Sequence, residues 1–309
     1  VDLTESAPMV RGSLNSTRSF VEACVYQAVR CALEVEVPNT SGAFRPVNVL
    51  TKPGTVCEVT MPGASSMRGV TGFRVLDAVN GALAELIPDR IPAAGEGGNT
   101  LAIFGAERPE GGRFVYYELV VGTWGATPRA DGNDGVTNPA SLAANIPVEV
   151  AESEYPIVVE RYGLVPDSGG PGRHRGGLAI ERVWRCLTPD TSLIVRSDRA
   201  SRPPYGLAGG LPGAPSENVL VRPDGSEEPL PPMFSTTIGV GDVYAHRIAG
   251  GGGYGDPLER DPGLVALDVA NGKVSSEAAA ARYGVVLEGD AVDSDATERL
   301  RAERRTEVT

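Results

Sequence analysis

Histidine is almost missing from this 309-residue sequence: His174 and His246 are the only two. A metal site built from several histidines is therefore not expected within it. Cysteine is scarce as well. The four, at positions 24, 31, 57 and 186, form no Cys-x-x-Cys pair. That spacing fits reduced core thiols in a cytoplasmic protein, with Cys24 and Cys31 both on the buried side of one predicted helix. No apolar run approaches the ~18 residues of a membrane span, and no signal-peptide pattern is present. Basic residues are outnumbered, 28 against 40 acidic, giving a net charge of −12. Nucleic acid and anionic membrane are thereby poor partners. The sequence also lacks a Gly-x-x-x-x-Gly-Lys-[Ser/Thr] loop and a strand–GxGxxG–helix unit, so no ATP or other cofactor is expected on this chain. No Ser/His/Asp or Cys/His arrangement stands out, which argues against a hydrolase built wholly from these residues. The first residue is Val1 rather than Met. A processed, trimmed or partial chain is the expectation.

Glycine (39) and proline (25) are abundant, so many tight turns and much irregular loop are expected. The length allows a large core with two or three subdomains. Apolar residues from Phe20 to Ala32 fall at helical spacing, predicting a helix over 17–34, with Ser16 or Thr17 as cap and Ser19/Glu22 as a capping box. Short strands are predicted over 44–50 and 55–61. A second helix is predicted over 70–87, stopped by Pro88. Strands follow at 101–104 and 114–121, then a long loop over 122–136. From Tyr155 to Ile248 the pattern is almost wholly β, with strands expected at 156–165, 177–187, 191–197, 217–222 and 242–248. Two short helices come next, over 262–272 and 276–283, capped by Asp261 and Ser275. The last twenty residues read as a frayed or disordered helix. The fold class is α+β, divided as a mixed α/β portion (1–150), a β-rich middle with glycine-rich loops (151–258) and a helical tail (259–309).

Several stretches carry candidate chemistry. The loop Pro166–Gly177 presents Arg173, His174 and Arg175, which suit a carboxylate, phosphate or bicarbonate, or pair with acidic residues across a subunit contact. Asp131, Asp134 and Asn138, with Glu149, suit a hard cation or an oriented water, or form a solvated acidic loop. Trp124 is a pocket wall or a loop anchor. Arg11, Asn15, Arg45 and Arg68 stand at element starts within reach of an anionic substrate. Arg196-Ser197-Asp198-Arg199 reads as a self-paired charge cluster. Gly250–Gly253 looks like a phosphate loop only superficially and is better read as a site of close backbone packing. The candidates are thus Asp131, Asp134, Arg173 and His174 as catalytic residues and Arg11, Arg45, Arg175 and Trp124 as substrate-binding residues.

A set of separated motifs in fixed order resembles the hydantoinase B/oxoprolinase family. They include Asp2–Pro8, Phe44-Arg45-Pro46, Arg74–Val79, Phe114–Glu118, Arg161–Gly177, Pro204–Gly210, Gly250–Leu258 and Tyr283–Leu287. The resemblance implies the C-terminal part of a B-type subunit in an ATP-dependent complex. The A-type partner would hydrolyse ATP with Mg and activate the substrate. The B-type subunit would then hydrolyse a cyclic amide or, in the carboxylase branch, join a ketone to CO2 derived from bicarbonate. A non-catalytic scaffold chain is the other reading within such a complex, and a free-standing small-molecule binding protein lies outside it. The family's histidine-rich N-terminal half has no counterpart here, so the resemblance implies that half as a separate chain, carrying any divalent zinc or manganese. A histidine found in many hydantoinase-like members after the Asp-Gly loop is also missing from Asp134–Pro139, which leaves the carboxylase branch open.

Overall fold

The computed structural model describes residues 1–33, 35–97, 100–108, 111–141 and 143–307. Glu34, the last residue of the first expected helix, lies outside them. The chain forms two compact units, Val1–Ile91 with Asn138–Leu142, and Pro92–Thr137 with Ala143–Thr309.

In the first unit, α1 (Arg18–Ala32) and α3 (Arg68–Ala84) pack together, with a single turn, α2 (Ser41–Phe44), between them in sequence. The apolar stripe of α1 buries Val21, Cys24, Val25 and Ala28 against Phe73, Leu76 and Val79. Gly72 permits the crossing, since a Cβ there would run into the Phe20 ring. The start of α1 has the expected cap but not the expected capping box. Thr17 is the N-cap and its hydroxyl accepts from the Phe20 amide, while Glu22 pairs with Arg18 instead of closing a capping box. Cys31 is exposed, not buried. The strands expected over 44–50 and 55–61 reduce to isolated bridges, Asp2 to Leu50 and Thr55 to Pro8 and Glu58. Pro46, Pro53 and Gly54 break those runs before a ladder can form.

The second unit is built on two antiparallel sheets. Strands β1 (Thr100–Glu107), β2 (Arg113–Val120), β5 (Thr191–Arg196) and β8 (Met233–Ile238) form one, in the order β2-β1-β5-β8. Strands β3 (Ile157–Leu164), β4 (Ile180–Cys186), β6 (Glu217–Val221), β7 (Glu227–Pro229) and β9 (Val243–Arg247) form the other, in the order β3-β4-β9-β6-β7. Their inward residues alternate with outward ones at period two. Phe104 and Tyr116 from the first sheet meet Trp184 and Tyr244 from the second in one aromatic core, with Trp184 and Tyr244 stacked at 5.6 Å. One inward row is polar. Arg182, His246 and Asn218 stand side by side across β4, β9 and β6, all buried. Arg182 pairs with Glu118 of the opposite sheet at 2.8 Å, both fully buried. Helices α4 (Val148–Glu154), α5 (Pro262–Ala270), α6 (Ser276–Tyr283) and α7 (Ser294–Glu307), and a short hairpin of β10 (Leu287–Glu288) and β11 (Ala291–Val292), complete the unit. Strand β8 and helix α4 were not expected from the sequence. The expected strand from 177 begins only at Ile180, because Gly177–Ala179 belong to a different structure.

That structure is a bundle of extended, glycine-rich segments. Three successive residues of one segment bond in three directions. Gly251 donates to Gly177 and accepts from Gly170, Gly252 donates to Ala94 and accepts from Ala126, and Gly253 donates to Leu211 and accepts from Leu207. A threefold, extended chain with no internal hydrogen bonds has this property, since its amides and carbonyls point outward to neighbours. Glycine is required by the spacing of the segments. A Cβ at Gly176 would fall well inside 3.0 Å of the Gly251 carbonyl oxygen, and one at Gly252 would do the same at Tyr205.

Candidate functional site

The glycine bundle decides what the glycine-rich loops can bind. A phosphate cradle needs backbone N–H groups that are free to point at the ligand. Here the amides of Gly250, Gly251, Gly252 and Gly253 donate to Ala214, Gly177, Ala94 and Leu211. In the 169–177 loop the amides of Arg173 and His174 donate to Gly255 and Tyr254, and that of Arg175 donates to Asp131 at 2.7 Å. The glycines serve backbone packing, and the donors are spent inside the fold.

What the loop presents is a set of side chains at the edge of the bundle, and an arginine remote in sequence organises them. Arg260, only 1% exposed in its side chain, grips Asp131 with both terminal nitrogens at 2.7 Å. Its Nη2 also donates to Asp268 at 2.7 Å, and its Nη1 donates to the Arg173 carbonyl at 3.1 Å. Arg175, equally buried, donates to the same Asp268 oxygen at 3.3 Å and to the Gly176 carbonyl at 2.6 Å. Lys273 closes the set by donating to Asp134 at 2.9 Å, and the second oxygen of Asp134 accepts from the Leu178 amide. The Tyr283 ring lies 5.9 Å from the Arg260 guanidinium. Fork-to-carboxylate pairing of this kind fixes orientation as well as charge.

Burial pushes the Asp131 carboxyl up, but the hydrogen bonds and charge of Arg260 and the Arg175 amide outweigh it and hold the group below the usual carboxylate range. Burial likewise acts to lower Arg260, and Asp131 overrides it, so the guanidinium is held still more firmly charged. Tyr283 is raised to about 12, chiefly by burial. His174 is partly buried, with Nδ1 4.0 Å from Asp131. Burial lowers it, Asp131 opposes, and the charges of Arg173 and Arg260 lower it further. The imidazole is therefore neutral at neutral pH.

These groups edge a cleft of about 420 Å³, whose walls include Asp131, Asp134, Asp268, Arg175, Arg260 and Lys273. Three carboxylates meet three cations, so the cleft carries no net charge. Leu264 and Leu267 add an apolar side.

The sequence candidates fall in four places. Asp131, Asp134 and Arg175 come together in the cleft, tied to one another through Arg260, Asp268 and Lys273. Arg173 (45% exposed, 3.8 Å from Glu259) and His174 sit outside its lining, at the rim of the bundle. Trp124 is half-buried as a loop anchor, its Nε1 donating to the Thr137 carbonyl at 2.6 Å. Arg11 and Arg45 are exposed in the first unit. Asn15 of that unit is fully buried and holds the Val10, Gly12 and Ala64 backbone, so it does not reach an anionic substrate. In the stretch Arg196–Arg199, Arg196 donates to the Val195 and Phe234 carbonyls, and Arg199 to Gly95.

The acidic loop does not assemble a cation site. Among the described residues no group of three or more His, Cys, Asp or Glu side chains is placed to hold a metal. Asp131 and Asp134 are already matched by cations of their own chain. The residues present therefore do not fit the divalent metal that the family resemblance implies elsewhere. Arg260, Asp268 and Lys273 were not among the residues expected from sequence. Arg260 lies in Glu259-Arg260-Asp261, which reads as an ordinary charged helix start, and its partner Asp131 is 129 residues away.

Known proteins share this architecture. Residues 1–257 match the family model described as hydantoinase B/oxoprolinase. The chain is 30% identical over 312 residues to the B subunit of a putative D-/L-hydantoinase from a Pseudomonas species, covering 97% of this chain and 52% of that protein. It is 30% identical over 319 residues to the beta subunit of the caprolactamase of Pseudomonas jessenii, covering 97% and 54%. The crystal structure of the ATP-dependent caprolactamase from Pseudomonas jessenii superposes with a TM-score of 0.84 at 28% identity, over 96% of this chain and 54% of that one. The chain spans about half the length of the curated relatives it matches. No helix among the described residues is long and apolar enough to cross a membrane.

Proposed function

The chain belongs to the hydantoinase B/oxoprolinase family, and on that premise we propose that it is one part of the B-type subunit of an ATP-dependent enzyme that opens a cyclic amide. The observation that carries the reading is the likeness to the caprolactamase, which runs through both units and nearly the whole chain. A cyclic amide is a poor electrophile, and ATP supplies activation by phosphorylation. The donors of the glycine bundle are spent internally, which supports assigning that activation to a partner subunit. The same holds for any catalytic metal, because Asp131 and Asp134 are held by Arg260 and Lys273.

What this chain contributes is position. The Arg260–Asp131–Asp268–Arg175 network clamps the loop that carries Arg173 and His174, with Arg173 reaching solvent beside the partly buried His174. A cationic Arg173 beside a neutral His174 suits a carboxylate or phosphorylated amide on the incoming substrate.

The test is turnover by the assembled complex with lactam, hydantoin and 5-oxoproline substrates, with and without bicarbonate. The expected result is ring opening coupled to ATP hydrolysis, independent of bicarbonate. Arg173→Ala should lower it at least tenfold with assembly intact. Consumption of a ketone that requires bicarbonate would move the protein to the carboxylase branch. ATP-independent turnover, or none with either class, would contradict the proposal.

A further inference from the structure

An antiparallel sheet with one solvated face shows apolar residues inward and polar residues outward. The sheet of β1, β2, β5 and β8 departs from this. Its inward face gives Phe104, Phe114, Tyr116, Leu193 and Val195 to the core. Its outward face carries an apolar patch that crosses three of the four strands. Ile103 lies opposite Tyr117 on β2 and opposite Ile194 on β5, with Val115 and Leu119 flanking Tyr117. Val115 is 61% exposed and Tyr117 51%. Polar residues border the patch on each strand: Arg113 on β2, Glu107 on β1, Ser192 and Arg196 on β5, and the exposed Ser235 and Thr237 on β8.

The most exposed of these residues sit on an edge strand. Strand β2 pairs with β1 on one side, and no strand pairs with its other side among the described residues. Its eight residues, RFVYYELV, contain no proline and no lysine, its pairing with β1 runs without a bulge, and its inward charge, Glu118, is paired with Arg182. Edges that meet water are normally guarded by such devices, and broad exposed apolar faces mark interaction sites. The centre of this face is apolar, with the most exposed members on the edge strand.

Two observations select what covers it. The relatives carry nearly as much polypeptide again beyond the part matched here. A second copy of this chain is disfavoured because each copy carries a net charge of −12. We infer that the apolar band of Ile103, Val115, Tyr117, Leu119 and Ile194 is the docking face for the part of the family's polypeptide that this chain does not match. That part presents an apolar layer against β1, β2 and β5. The inference rests on the proposed function in taking the chain as one part of a larger subunit.

The test is site-specific photo-cross-linking in the source cells, with Tyr117 replaced by p-benzoylphenylalanine and Thr237 replaced in a control. The expected result is a cross-link from position 117 to polypeptide that aligns with the unmatched half of the relatives, at least tenfold stronger than from 237. It counts whether that polypeptide is separate or continuous with this chain. Where it is separate, Val115→Lys with Tyr117→Lys should cut its copurification at least tenfold and leave the yield and protease resistance of this chain unchanged. Cross-links to a second copy or to an ATP-hydrolysing subunit would overturn the inference. So would copurification of the unmatched half without a cross-link, which leaves the proposed function standing. A chain recovered with no such polypeptide would overturn both.

Discussion

Arg260 shares both terminal nitrogens with Asp131 and one of them with Asp268, and its side chain is only 1% exposed. Removing one member of such a group leaves the others charged and buried. Arg260→Met is therefore expected to cost about 3 kcal/mol of stability, read as a shift in the urea midpoint at unchanged slope. Loss of less than about 0.5 kcal/mol, the size of an ordinary surface change, would show that the network does not hold the loop. His246 gives a second prediction, in pH. Its Nδ1 faces the Asn218 side-chain oxygen at 2.8 Å, so the proton sits there, and Nε2 is buried without a partner. Protonation would put a donor on that orphan atom, and burial lowers the group from 6.5 to about 3. The unfolded chain then takes up a proton below pH 6.5 that the folded chain refuses until about 3. Stability conferred by the neutral ring is whole above 6.5 and falls with acid at up to about 1.4 kcal/mol per pH unit. His174, lowered in the same sense, adds to this slope, and Glu118, raised by burial, works against it. His246→Gln should flatten the acid limb of a stability profile between pH 6 and 4. An unchanged limb would assign the slope to other groups.

Among the elements, the glycine bundle makes the sharpest claim. A methyl group on Gly176 would meet the Gly251 backbone, which has no side chain that can turn aside. Gly163 in β3 has nothing within 4 Å of the same position and no positive φ. Gly176→Ala should destabilise by at least about 3 kcal/mol, the upper end for overpacking. Gly163→Ala should be neutral or stabilising by up to about 1 kcal/mol, through the entropy of the unfolded chain. Equal effects at the two sites, measured by chemical denaturation, would refute the packing account. The same elements show what the sequence could reveal. The period of 3.6 marked α1 and α3, and the period of two marked β2, β4, β5 and β9, because those patterns are written by burial within a few residues. The glycine run was legible as close packing, since it lacked the phosphate-loop lysine. Its threefold bonding was not legible, because the partners of Gly251 to Gly253 lie near residues 94, 126, 170, 177 and 207. Strand β8 was hidden behind Pro231 and Pro232. Helix α7 read as fraying because its mean hydropathy is low. It is nonetheless tied down by Arg301, which donates to the Arg260 and Tyr283 carbonyls. The candidate site was half legible. Asp131, Asp134 and Arg175 were found as residue types in glycine-rich loops, whereas Arg260 gave no local signal.

At the scale of the whole molecule, two features point outward. The amides of Gly250 to Gly253 and of Arg173 to Arg175 are spent inside the fold, no metal cluster is found among the described residues, and one sheet carries an exposed apolar patch on the face away from its core. Both fit a chain whose chemistry is completed by other polypeptide. The central claim is membership of an ATP-dependent assembly, and native mass spectrometry of the complex drawn from source cells by a tag on this chain tests it most directly. The account predicts this chain together with the remaining length of the B-type subunit, separate or continuous, and a subunit that hydrolyses ATP. This chain recovered alone, with no further polypeptide bound to it or continuous with it, would contradict it.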